Sequence, residues 1–109
     1  IHTLAVDAGD ALATMWHTEV MVPSHHQIGA LINVRVPCTA PCLVNGTVTL
    51  MQAVWLEHGM VAPVGAWGAD KTQMWVRLTA QVYNEMDDYL RYGRVVESML
   101  RREGLLTRA

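Results

Sequence analysis

No run of eighteen or more apolar residues occurs in the chain, so no segment is expected to cross a bilayer as a helix. The amino end also lacks the basic start and apolar centre of a secretory leader, and the expected location is the cytoplasm. Basic residues are sparse. Eight Lys and Arg against ten Asp and Glu give a formal net charge of -2, which leaves no positive field to draw in nucleic acid. Neither nucleic acid nor a membrane is an expected partner. The two cysteines, Cys38 and Cys42, are too few for a disulfide framework. They could close one short loop, but reduced thiols are the simpler expectation. Their C-x3-C spacing, with His25 and His26 elsewhere, supplies no second ligand pair of the kind structural zinc uses, and no metal is assigned. A Gly-rich phosphate loop, an HExxH motif and a Ser-His-Asp context are also missing.

What is present is apolar. Of 109 residues, 51% are hydrophobic, with seven Met and four Trp, which is high for a chain with room for one modest domain. Some of that surface is expected to face another protein part. The chain starts at Ile1 rather than at methionine, and it is read as one domain, residues 1–109, of a longer polypeptide.

Periodicity gives the elements. Leu4, Ala8, Ala11, Leu12, Met15 and Trp16 recur at three and four, which predicts a helix over residues 2–17 despite Gly9. Pro23, Ser24, His25 and His26 read as a loop. GALINVRVP, residues 29–37, reads as a β-branched strand stopped by Pro37, and PCTAPC as a turn-rich connection. Val48, Met51, Val54, Trp55 and Leu56 suit a helix capped by Thr47 and ended by Gly59. MVAPVGAW and TQMWVRLT read as a hairpin joined by GADK. A last helix over residues 86–102 puts Tyr89, Tyr92, Val96 and Met99 on one face and allows Asp87 to pair with Arg91. Asn84 or Glu85 would cap it. Helix, strand, helix, strand, strand, helix describes an α+β sandwich of two layers, a short, mostly antiparallel sheet with helices on one face.

Arg77 interrupts an apolar strand. Alternation places Met74, Val76 and Leu78 in the core and Trp75, Arg77 and Thr79 on the opposite face. A guanidinium there keeps its charge at any accessible pH and needs water or an anion. It either pairs with a surface Asp or Glu or reaches solvent past Trp75, or it holds the carboxylate of a small ligand through its planar fork. Trp75, Tyr83 and Asn84 are the neighbours that could support such a site. Tyr83 and Asn84 suit turn formation and capping of the last helix better than ligand contact. His17 and His58 each close a helix, where an imidazolium favours the carboxyl-terminal dipole.

The run VRLTAQVYNEMDDYLRYGRVVESML resembles the carboxyl-terminal end of the class V aminotransferase family of pyridoxal-phosphate enzymes, in particular its isopenicillin N epimerase-like branch. VWLEHGMVAPVGAW, IGALINVRVPCTAP and LATMWHTEVMVP are similar, in the same order, to upstream segments of that branch, so the resemblance covers nearly the whole chain. RLTAQVYN is its most specific part.

The resemblance implies the small carboxyl-terminal domain of a fold-type-I enzyme acting at Cα of an amino-acid substrate, with Arg77 binding the substrate α-carboxylate. It implies pyridoxal 5'-phosphate in the full-length enzyme, bound by a large domain absent from this sequence, and a homodimer. No catalytic or cofactor-binding residue is assigned here. The only lysine, Lys71, lies in the GADK turn, and the chain alone is expected to be inactive. Cysteine desulfurase and lyase relatives share the scaffold and the arginine. The other reading is a free-standing, non-enzymatic module that binds a carboxylate or a protein.

Overall fold

A computed structural model of the chain describes residues 4–21, 31–79 and 85–107. Among these residues are three helices, α1 (Leu4–Trp16), α2 (Leu50–His58) and α3 (Met86–Glu103). The strands are β1 (Val20–Met21), β2 (Leu31–Thr39), β3 (Leu43–Val44), β4 (Val48–Thr49), β5 (Val64–Gly65) and β6 (Gln73–Thr79). Four of them form an antiparallel sheet in the order β1-β2-β6-β5, and β3 and β4 make a separate hairpin. The α+β architecture is the expected one.

The core face of the sheet follows from alternation. Ile32 stands opposite Leu78 and Val34 opposite Val76, and all four are buried with Val36 and Met74. α1 covers this face with Ala8, Leu12 and Trp16, spaced one turn apart. α3 packs against α1 through Tyr89, Tyr92, Val96 and Met99, the face predicted from its spacing. At the crossing, Gly93 lets the helices meet: a Cβ there would lie 2.3 Å from Leu12 Cδ2, and the Gly93 carbonyl accepts a hydrogen bond from Trp16 Nε1 at 3.0 Å. A side chain at 93 would have to displace the Leu12 and Met15 side chains of α1.

Several local expectations are corrected. α2 is capped by Thr49, not Thr47: the Thr49 side chain accepts from the backbone N–H of Gln52, while Thr47 belongs to the turn joining β3 and β4. The cause is Asn45-Gly46, both at positive φ, which with Thr47 closes a three-residue hairpin loop and so delays the helix. β2 does not stop at Pro37. It runs to Thr39 because the ladder to β6 shifts register between Arg35 and Thr39, where a residue lacking an N–H breaks no regular bond. Met51, Trp55 and Leu56 face outward, and α2 buries Leu50, Ala53 and Val54 instead. On α3, Glu85 occupies the N-cap without a side-chain hydrogen bond. Its i, i+4 ion pair is Glu97–Arg101 at 3.7 Å, and Asp87 and Arg91 form none among the described residues. Cys38 and Cys42 are joined in a disulfide rather than reduced, a pairing that the four-residue separation permits when both thiols are buried side by side. No helix of the described residues is long and apolar enough to cross a membrane.

Candidate functional site

The opposite face of the sheet carries the polar residues of β2 and β6. Asn33 stands opposite Arg77, and Arg35 opposite Trp75. The Arg77 N–H donates to the carbonyl of Pro63 on the β5 side, at 2.9 Å. Its pairing with Asn33 is therefore a non-hydrogen-bonded one, the geometry in which facing residues approach most closely, with Cα atoms about 4.5 Å apart. Sequence alternation thus brings an amide and a guanidinium side by side.

This face is not open. The segment after β5 folds back over it and lays Trp67 across both residues. Trp67 Nε1 donates to Asn33 Oδ1 at 3.1 Å, and the Arg77 guanidinium carbon lies 4.6 Å from the Trp67 ring centroid. The indole satisfies the buried amide with its edge and attracts the cation with its face. Gly68 then passes close over Trp75: a Cβ at Gly68 would lie 2.7 Å from Trp75 Nε1. Asn33 is 8% exposed and Trp75 only 6%. The expected grouping of Trp75 with Arg77 on the non-core face holds, but Trp75 is buried there.

The two arginines of this face are treated differently. Arg35 is held by Glu19: its Nε and Nη2 donate to the two carboxylate oxygens, the second at 3.0 Å. Arg77 forms no ion pair with any Asp or Glu among the described residues, and its Nε is buried without a hydrogen-bond partner there. Trp75 Nε1 is likewise buried and unpartnered among them. Two donors thus lie unspent on one face, where each unsatisfied buried donor costs about 1–3 kcal/mol. A ring against a guanidinium leaves donors at the edge of the fork for hydrogen bonding, so the stack with Trp67 and a bound carboxylate are compatible.

Tyr83 and Asn84, expected to support Arg77, lie outside the described residues, as do His25 and His26. The side chain of Thr79 is also outside the description. Trp67 and Asn33 were not among the expected site residues. The polar Asn33 inside an apolar, alternating strand was a readable signal; Trp67 was not, because only chain reversal after β5 brings it over β6.

Pyridoxal phosphate needs a lysine amine that burial or neighbours keep unprotonated. Lys71 is exposed in the turn before β6, a turn fastened by Asp70, whose carboxylate accepts from the Thr72 hydroxyl at 2.6 Å and the Thr72 N–H at 2.9 Å. Those bonds, the hydroxyl first, hold the Asp70 carboxyl below its ordinary range. Lys71 therefore does not fit the cofactor-binding role.

α2 presents the exposed apolar surface that composition led one to expect. Trp55 is 54% exposed and Leu56 61%, and Met51, Trp55 and Val61 line a groove of about 340 Å³. The chain matches no protein-family model and no curated protein.

Proposed function

We propose that the chain is the small carboxyl-terminal domain of a pyridoxal-phosphate enzyme of the isopenicillin N epimerase type, and that Arg77 binds the α-carboxylate of its amino-acid substrate. One observation carries this reading: Arg77 alone of the two arginines on its sheet face lacks a carboxylate of the chain's own among the described residues. Trp67 supports the role by fixing where the guanidinium stands, so that less side-chain freedom is lost on binding. The two N–H donors of the fork match the two oxygens of a carboxylate.

When bound, the cofactor supplies the electron-withdrawing ring that makes a substrate Cα bond labile. It would belong to a large domain outside this sequence, and no cofactor-binding role is assigned to the described residues of this chain. What the chain's residues do is bind and orient: Arg77 anchors the carboxylate, which leaves rotation about one axis to be set elsewhere. Whether the whole enzyme epimerises, desulfurates or cleaves its substrate depends on large-domain residues. The exposed apolar side chains of α2 offer surface against which a large domain or a second subunit would pack.

The test uses the full-length polypeptide. Purified protein should carry the visible absorption of lysine-bound pyridoxal phosphate, and Arg77→Ala should keep that colour while raising the Kd for amino acids at least tenfold, the order expected when a charge-assisted bidentate pair is lost. Arg77→Lys should recover little of the affinity, since an ammonium lacks the fork. A colourless protein would remove the enzyme reading, and unchanged amino-acid affinity in Arg77→Ala would remove the clamp.

A further inference from the structure

A second constellation lies on the far side of the helical layer and shares no residue with the Arg77 face. The last turn of α2 and the outer surface of α3 enclose a cleft of about 250 Å³, lined by His58, Arg91, Arg94, Ser98 and Arg102 over Met99. Positions 91, 94, 98 and 102 recur at three and four, so α3 projects them as one stripe. Three of the eight Lys and Arg of a chain with net charge -2 are gathered here.

Carboxylates balance Arg102 but, among the described residues, neither Arg91 nor Arg94. Glu57 is engaged by Arg102 through both oxygens, at 3.0 and 3.1 Å. Glu97 pairs with Arg101, and Glu103 accepts from the backbone of Asn45 and from Arg102. Arg91 and Arg94 form no ion pair among the described residues, although like charges three residues apart on a helix repel. The carboxyl end of α2 would disfavour an anion, but the full charges of Arg91 and Arg94 outweigh the partial charge of a helix end. A guanidinium fork suits phosphate oxygens, and the Ser98 hydroxyl adds a neutral donor. The volume suits a small molecule rather than a folded partner.

We propose that this cleft binds a small, multiply charged phosphate compound, of the size of pyrophosphate or a compact phosphate ester, through Arg91 and Arg94. The ligand supplies the negative charge that the neighbouring carboxylates spend elsewhere.

The probe is pyrophosphate, titrated calorimetrically into the 109-residue chain at constant ionic strength. Saturable one-site binding is expected. Arg91→Ala and Arg94→Ala should each weaken it about threefold and the double variant about tenfold, the scale of exposed ion pairs. Arg101→Ala, on the same helix but outside the cleft, should leave affinity unchanged. Arg91, Arg94 and Arg101 are all exposed, so helix content by circular dichroism should be the same in every variant. No saturable binding by the wild-type chain would overturn the proposal, as would an equal loss in Arg101→Ala, which would mean that only net charge matters. Tighter binding of a polyglutamate peptide than of pyrophosphate would overturn it in favour of an acidic protein partner.

Discussion

Both faces of the β1-β2-β6-β5 sheet are covered, by different chemistry. On the core face, α1 and α3 meet Ile32, Val34, Val76 and Leu78 with apolar side chains, and burial itself is the stabilising interaction. On the other face, Asn33, Trp75 and Arg77 lie beneath a returning loop with Arg35 beside them, and burial costs free energy unless each polar atom finds a partner. Asn33 finds Trp67 and Arg35 finds Glu19. Arg77 finds only an aromatic ring among the described residues, and that difference within one face is what singles it out.

The comparison can be broken from the core side first. Leu12→Ala removes a fully buried side chain from the α1–α3 crossing and should cost about 3 kcal/mol, seen as a lower urea midpoint with an unchanged slope. A cost below that of any change on the polar face would mean that α1 does not seal the core. Next is Trp67→Phe, which keeps a ring over Arg77 but deletes the donor to buried Asn33; about 1–3 kcal/mol should be lost in the same assay. Equal stability of Trp67→Phe and the wild type would show that water reaches this face as it reaches an ordinary surface.

The smallest effect is expected at the exposed ion pair. The hydrogen bond from Arg102 is the main cause that lowers the Glu57 carboxyl below its usual range. A depressed folded-state pKa gives stability that is present above the unfolded-chain value and lost as pH falls through the folded-state value. Glu57→Gln should therefore be slightly less stable than the wild type at neutral pH, and the two melting curves should converge on acidification below the carboxylate range. A gap that persists in acid would place the effect in packing rather than charge.

Where a pattern is local, it was readable. The three-four spacing of Ala8, Leu12 and Trp16 and of Tyr89, Tyr92 and Val96 fixed the buried faces of α1 and α3, because helix geometry alone decides which side chains align. Alternation separated Val76 and Leu78 from Trp75 and Arg77 for the same reason. In α2 the apolar residues are spread around the helix, so periodicity could not tell Leu50 and Val54 from Met51 and Trp55. Thr47 suits a helix cap locally, but the Asn45-Gly46 before it is a hairpin signal that moves the helix start to Thr49.

The sequence by itself determined the helix and strand periods, the side of β6 on which Arg77 stands, and the scarcity of lysine. Those follow from covalent geometry and composition, which need no partner residue. Only the tertiary structure decided that Trp67 lies across Asn33 and Arg77, that Cys38 meets Cys42, and that His58 joins Arg91 and Arg94 in one cleft. The clearest of these meetings join groups more than thirty residues apart, and which distant groups come together is set by how the layers pack, a choice that no local spacing records.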